Sequence, residues 1–211
     1  MSDLELRDGR IEIAGAPGSG LTLREVAEAV AGVPGYSMPG KFEPGLESMQ
    51  SFLPNALTYG GGCHAVEVEV DIETCGVKIL RYVVVNDSGG VINPMIVEGQ
   101  LTGGAVHAIG NALFEWMGYD DEAQPITTTL ADYVIPGATE VPRIEMKLAE
   151  YPSPLNPLGV KGVGESGCVP ATGAIISAVE NALAPFGVHI EEYPVTPARL
   201  FALLSSTGKT G

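Results

Sequence analysis

The residues best suited to chemistry sit in a glycine-rich run, Lys161-Gly162-Val163-Gly164-Glu165-Ser166-Gly167. Glycines at 162, 164 and 167 leave Glu165 without bulky neighbours in sequence, and they let the backbone pass close to whatever the carboxylate faces. A carboxylate so placed could take a proton as a general base. It could also complement the positive end of the helix that follows, for about 0.3–1 kcal/mol. The residues alone leave both roles open. A glycine-rich loop feeding a helix start is a place where ligands dock on backbone groups. It is not a phosphate-binding P-loop, because the spacing is wrong and Lys161 precedes the glycines. Cys168 reads as a buried thiol at the helix start.

A second candidate surface comes from a helix expected over about 97–117, after a stop at Asn93-Pro94. At about 100° per residue, Leu101, Ala105, Ala108, Ile109, Ala112 and Trp116 share one face. Gln100, Gly103, Gly104, His107 and Asn111 share the opposite face, which is small and hydrogen-bonding rather than charged. Glycine inside a helix costs about 1 kcal/mol relative to alanine. Two explanations fit that stripe: plain packing against another helix, or close approach by a backbone or a bulky ligand.

Other elements must position these groups. Residues 170–183 form the helix after the glycine loop, with Pro170 in its first turn and Ile175, Ile176, Val179 and Leu183 as its apolar stripe. Residues 63–71 alternate Val66, Val68 and Val70 with Glu67, Glu69 and Asp71, which is a half-buried strand. A second strand spans 77–86, and its run Tyr82-Val83-Val84-Val85 suggests burial on both faces. Residues 143–150 give a third strand, with Ile144, Met146 and Leu148 inward. Near the N-terminus, residues 4–13 read as a hairpin around Asp8-Gly9. Thr22 and Glu25 form a capping-box pattern at the start of a short helix over 21–30. Residues 31–62 are rich in Gly, Pro and Ser, with Tyr36, Phe42, Met49 and Phe52. A loop of that length lies on the surface or binds something. The expected division is therefore 1–62 and 63–211. The expected fold class is α+β: one mixed sheet from strands near 4–13, 64–86 and 143–150, packed by the two long helices.

Bulk composition narrows the function. The 211 residues carry 11 Lys+Arg against 26 Asp+Glu, a formal net charge of −15. That balance opposes nucleic acid and anionic membrane surfaces as partners. No stretch reaches the roughly 18 apolar residues of a membrane span, and residues 1–15 lack the apolar core of a signal peptide. Three scattered cysteines, Cys63, Cys75 and Cys168, suit reduced thiols in a cytoplasmic protein and are too few for an iron–sulfur cluster, which takes about four.

The run Asn156-Pro157-Leu158-Gly159-Val160-Lys161-Gly162-Val163-Gly164-Glu165 is very similar to a signature of the molybdenum hydroxylases: xanthine dehydrogenase, aldehyde oxidase and the large subunit of aerobic carbon-monoxide dehydrogenase. Residues 82–94 (YVVVNDSGGVINP), 98–115 (EGQLTGGAVHAIGNALFE) and 174–197 resemble further blocks of that family in the same order. The likeness runs over nearly the whole chain. One departure is the turn Thr74-Cys75-Gly76, where relatives often have Thr-Gly.

The resemblance implies the C-terminal part of a molybdopterin-binding subunit. In that family the glutamate of the VGE signature is the catalytic base, and here it falls on Glu165. It would take the proton of a molybdenum-bound hydroxyl as that oxygen attacks an electron-poor carbon, with hydride passing to a terminal sulfido ligand. Val163, Gly164, His107, Gln100 and Gly104 would contact the molybdenum–pterin cofactor, in its cytosine dinucleotide form. His107 and Glu165 would face a common cleft. The resemblance further implies partner chains: the remainder of the molybdenum subunit, an iron–sulfur subunit with 2Fe-2S clusters and an FAD subunit. The substrate would be a small molecule. A chain that kept the fold as a non-catalytic scaffold is the alternative.

Overall fold

The computed structural model describes residues 3–32 and 44–208, so part of the expected 31–62 loop, with Tyr36 and Phe42, lies outside the described residues. The chain divides into two compact units, 1–53 and 54–211. The division expected at 62/63 would cut a strand, because Gly61 and Gly62 already pair with Asp87 and Asn86.

In the first unit, β1 (Leu4–Arg7), β2 (Arg10–Ile13) and β3 (Ala16–Thr22) form an antiparallel meander. Asp8 and Gly9 both take positive φ (49° and 75°), the geometry of a two-residue hairpin turn whose twist matches its strands. Helix α1 (Leu23–Val30) follows at once. Its capping box is complete: Thr22 Oγ1 accepts from Glu25 N–H, and the Glu25 carboxylate accepts from Thr22 N–H at 2.7 Å. The expectation that residues 4–13 join one sheet with the later strands is wrong. They pair with β3, whose strand character Pro17, Gly18 and Gly20 conceal in the sequence.

The second unit holds the mixed sheet. Strands β4 (Gly61–Val70) and β5 (Val77–Asp87) run antiparallel, and β6 (Ile144–Leu148) pairs parallel to β5. The β4–β5 turn closes through Asp71 N–H to Gly76 C=O at 2.9 Å, with Cys75 at φ 57° and its side chain buried. Helix α3 (Ala171–Ala182) lies across β4 and against α2 (Pro94–Leu113). The core draws Tyr82 and Val84 from the sheet, Leu101, Ala105, Ala108, Ile109 and Ala112 from α2, and Ile175 and Val179 from α3.

Three differences from expectation have physical causes. Asn93-Pro94 starts α2 rather than preceding it: Asn93 Oδ1 caps Ile96 N–H, and Pro94 sits where a helix needs no amide proton. The helix ends at Leu113, because Glu115 N–H reaches back five residues to Gly110 C=O at 2.7 Å and turns the chain, which leaves Trp116 exposed. Strand β5 is not buried on both faces. Tyr82, Val84 and Asn86 point into the core, whereas Val85 is exposed, because the helices cover one face of the sheet. A further helix, α4 (Pro197–Ser206), closes the core with Leu200 and Leu204 one turn apart.

Candidate functional site

The glycine loop is tied to the end of β5 by backbone and by charge. Gly90 N–H donates to Gly159 C=O at 2.9 Å, and Lys161 N–H donates to Ser88 C=O at 2.8 Å. Lys161 Nζ then meets Asp87 Oδ2 at 2.6 Å, with both side chains largely covered. Asp87 also accepts from Gly89 and Tyr151 N–H. The Lys161 ammonium and these donors hold the Asp87 carboxyl below the usual carboxylate range. Ion pair and strand pairing together fix where the loop leaves the sheet.

The loop's far end is pinned to α2 and to the start of α3. A Cβ on Gly104 would stand 2.7 Å from the Gly167 backbone, and a Cβ on Gly167 would stand 2.6 Å from Leu101 C=O. Glycine at both positions is what lets loop and helix backbones touch. One turn earlier, Gln100 Nε2 donates to Gly164 C=O at 3.3 Å. Glu165 C=O accepts from Cys168 and Val169 N–H, and also from the Cys168 thiol. The backbone of Glu165 is thus anchored while its side chain stays exposed.

Between these anchors lies a cleft of about 450 Å³. Gly60, Gly61 and Gly62 line it from the start of β4, Asn86 from the end of β5, and Gly162 to Ser166 from the loop. The glycines divide by cause. Gly60 is demanded by the chain itself, since a Cβ there would meet both Asp87 C=O and Gly162 C=O at 2.9 Å. At Gly162 a Cβ would meet nothing within 4 Å, and at Gly164 only the Gln100 amide at 3.9 Å. Nothing packed around those two positions among the described residues requires glycine. Their bareness suits a ligand that lies against the backbone.

Of the residues expected at a site, Glu165, Val163 and Gly164 line the cleft, and Gln100 touches it through Gly164. Gly104 sits beneath the loop, where it sets the helix–loop distance. His107 is exposed on α2 one turn further on and is not among the lining residues. The sequence reading missed Gly60 to Gly62, Ser166 and Asn86. For Asn86 a signal exists: it extends the Tyr82, Val84 alternation, which places an amide on the buried face.

A model of the molybdopterin cofactor-binding domain matches residues 1–142. The chain belongs to that family. The domain is 39% identical over 208 residues to the 6-hydroxypseudooxynicotine dehydrogenase complex subunit gamma of Paenarthrobacter nicotinovorans, covering 98% of this chain and 26% of the relative. It is 35% identical to the carbon monoxide dehydrogenase large chain of Afipia carboxidovorans, over 86% of this chain and 22% of that one. In structure it resembles quinoline 2-oxidoreductase from Pseudomonas putida 86, with a TM-score of 0.87 and 42% identity over 97% of this chain and 26% of the other. The chain therefore spans about a quarter of the length of these relatives.

The cleft fits a pterin. Its walls offer backbone groups bared at Gly162 and Gly164, the Ser166 side chain and the Glu165 carboxylate. That is a hydrogen-bonding set suited to a flat ring with donors and acceptors around its edge. Among the described residues, no cluster of three His, Cys, Asp or Glu side chains could hold a metal ion directly, and no helix is long and apolar enough to cross a membrane.

Proposed function

We propose that this domain forms part of the catalytic subunit of a molybdenum hydroxylase and that Glu165 is its general base. The observation that carries the reading is Glu165 on the wall of a cleft whose loop glycines, 162 and 164, are not forced to be glycine by any packing among the described residues. When bound, the molybdenum–pterin cofactor, read here as the cytosine dinucleotide form, would supply the two-electron oxidant that takes up the hydride released as the carbon's C–H bond breaks. The chain's own groups do the rest. Val163 and Gly164 present the loop to the pterin, and Gln100 steadies that loop through Gly164 C=O. Glu165 accepts, at a side-chain oxygen, the proton that an attacking hydroxyl gives up as its oxygen bonds to an electron-poor carbon. Anchoring of the Glu165 backbone at the start of α3 fixes the point from which that side chain reaches the cleft.

The fold places Glu165 in an open position. A base works best when water is excluded around it. The missing walls belong, on this reading, to the remainder of the molybdenum subunit, and electrons leave through 2Fe-2S and FAD carried by partner chains. Gly104 completes the assignment by holding the loop to α2, and His107, exposed outside the cleft, is assigned to a part of the cofactor beyond it.

Replacing Glu165 by Gln in the assembled complex tests the reading. Turnover should fall at least about 100-fold with pterin and molybdenum content unchanged. Unchanged turnover would reassign the domain as a scaffold.

A further inference from the structure

Asp87 ends β5, and its three oxygens hold different parts of the cleft. Oδ1 accepts from Gly89 N–H at 2.9 Å and from Tyr151 N–H at 3.2 Å. Oδ2 accepts from Lys161 Nζ at 2.6 Å, with the Lys161 and Asp87 side chains 16% and 17% exposed. The carbonyl lies where a Cβ on Gly60 would stand 2.9 Å away, and the strand register pairs Asp87 with Gly61. One residue thus touches the Gly60–Gly62 wall through its backbone and the root of the Glu165 loop through its carboxylate. Up to Lys161 the incoming chain is stitched down. Asn156 Nδ2 donates to Val160 C=O at 2.9 Å, and Asn156 Oδ1 accepts from Val160 N–H at 3.0 Å. Beyond Lys161 the ties thin out. Across Gly162, Val163 and Gly164, the hydrogen bonds among the described residues are Gln100 Nε2 to Gly164 C=O at 3.3 Å and Ser166 N–H to Val163 C=O at 3.2 Å. Lys161 is therefore the last firm post before Glu165.

We propose that Asp87 is a positioning residue for the reaction: through Lys161 it sets how far the Glu165 loop stands from the Gly60–Gly62 wall. The proposal rests on the reading of Glu165 as the base. Asp87 acts through Glu165 and not on the reacting atoms. The division of labour between its carboxylate oxygens makes the role separable. Asparagine keeps an oxygen for the Gly89 and Tyr151 amides and gives up only the charged hold on Lys161. A Lys–carboxylate contact this short and this largely covered is a charge-assisted bond rather than a loose surface pair. Its loss matters to rate because misplacement of a reacting group by about 1 Å can cost about 100-fold.

The test uses the assembled complex as wild type, Asp87→Asn, Lys161→Met, the two together, and Asp87→Asn combined with Glu165→Gln. The rate of reduction by saturating substrate, without an electron acceptor, is compared at equal molybdenum content. Amide exchange is read at Lys161, whose N–H is bonded to Ser88 C=O, and at Cys168, whose N–H is bonded to Glu165 C=O. Asp87→Asn and Lys161→Met should each be reduced at least about tenfold more slowly, with the half-saturating substrate concentration unchanged. Joining them should slow the reaction no further than the slower single change, because both remove one contact. On the Glu165→Gln background Asp87→Asn should have no further effect, since no base is left to misplace. Exchange at Lys161 should quicken while exchange at Cys168 stays near wild type. Wild-type rates in both single variants overturn the proposal. So does an Asp87→Asn effect as large without Glu165 as with it. Quickened exchange at both amides, or failure of both variants to give a molybdenum-loaded complex, marks a structural role and overturns it too. A wild-type rate in Glu165→Gln alone would instead bring down the underlying reading of the base.

Discussion

The two units of the domain obey the same local rules and end in different energetic situations. In the first, β1, β2 and α1 have ideal turns and caps, yet α1 buries no residue, and Leu4, Leu6, Ile13, Leu21 and Leu23 are all exposed. In the second, every fully buried apolar side chain of the described residues is found, from Cys75 to Leu204. Local signals can therefore specify the path of a chain without stabilising it. What stabilises is removal of apolar surface from water, at about 25 cal/mol per Å². The cleft belongs to the unit that has a core, which fits the need for a site to rest on rigid elements.

That contrast can be broken by substitution. Leu101→Ala removes a fully buried side chain from α2 and should cost about 2–5 kcal/mol in denaturant unfolding. A cost below about 1 kcal/mol would mean that the second unit's core is not the source of its stability. Gly104→Ala should cost about 1–3 kcal/mol, because the new methyl collides with the Gly167 backbone. It should also lower turnover by displacing the Glu165 loop. Gly162→Ala sharpens the point: its methyl meets nothing within 4 Å among the described residues, so unfolding should shift by less than about 0.5 kcal/mol while cofactor content or turnover falls. Loss of stability without loss of cofactor would assign that glycine to packing. In the first unit, Thr22→Ala should remove about 1 kcal/mol of helix stability, read by amide exchange in α1. Leu6→Ala, at an exposed position, should cost less than about 0.5 kcal/mol in the isolated chain.

A pH effect tests the ion pair of the second unit. Asp87 is held below its ordinary carboxyl value first by Lys161, so its contribution is present above the ordinary carboxylate range and is lost as pH falls through that range and below. Acid unfolding of the second unit should therefore shift in Asp87→Asn, with a flatter dependence on pH below about 4. An unchanged acid limb would show that the ion pair does not anchor the loop.

Legibility in the sequence followed the range of the interactions. The Asp8-Gly9 turn, the Thr22–Glu25 capping box, the β4 alternation and the apolar face of α2 are set by residues a few positions apart, and all were readable. The partnership of residues 10–13 with β3 was not, because Pro17, Gly18 and Gly20 look like loop. Glu165, Val163 and Gly164 stood out because glycines surround them in sequence. The opposing wall did not, since Gly60 to Gly62 and Asn86 meet the loop across roughly 75–100 residues of chain. The glycine stripe on α2 was readable as a close approach, but its partner was not: Gly104 touches the loop backbone rather than another helix.

The central claim is that the Glu165 carboxylate moves the proton. The most direct measurement is the rate at which substrate reduces the assembled complex in the absence of an electron acceptor, compared between wild type and Glu165→Gln at equal molybdenum content. A rate at least about 100-fold slower in the variant is predicted, and equal rates would contradict the account.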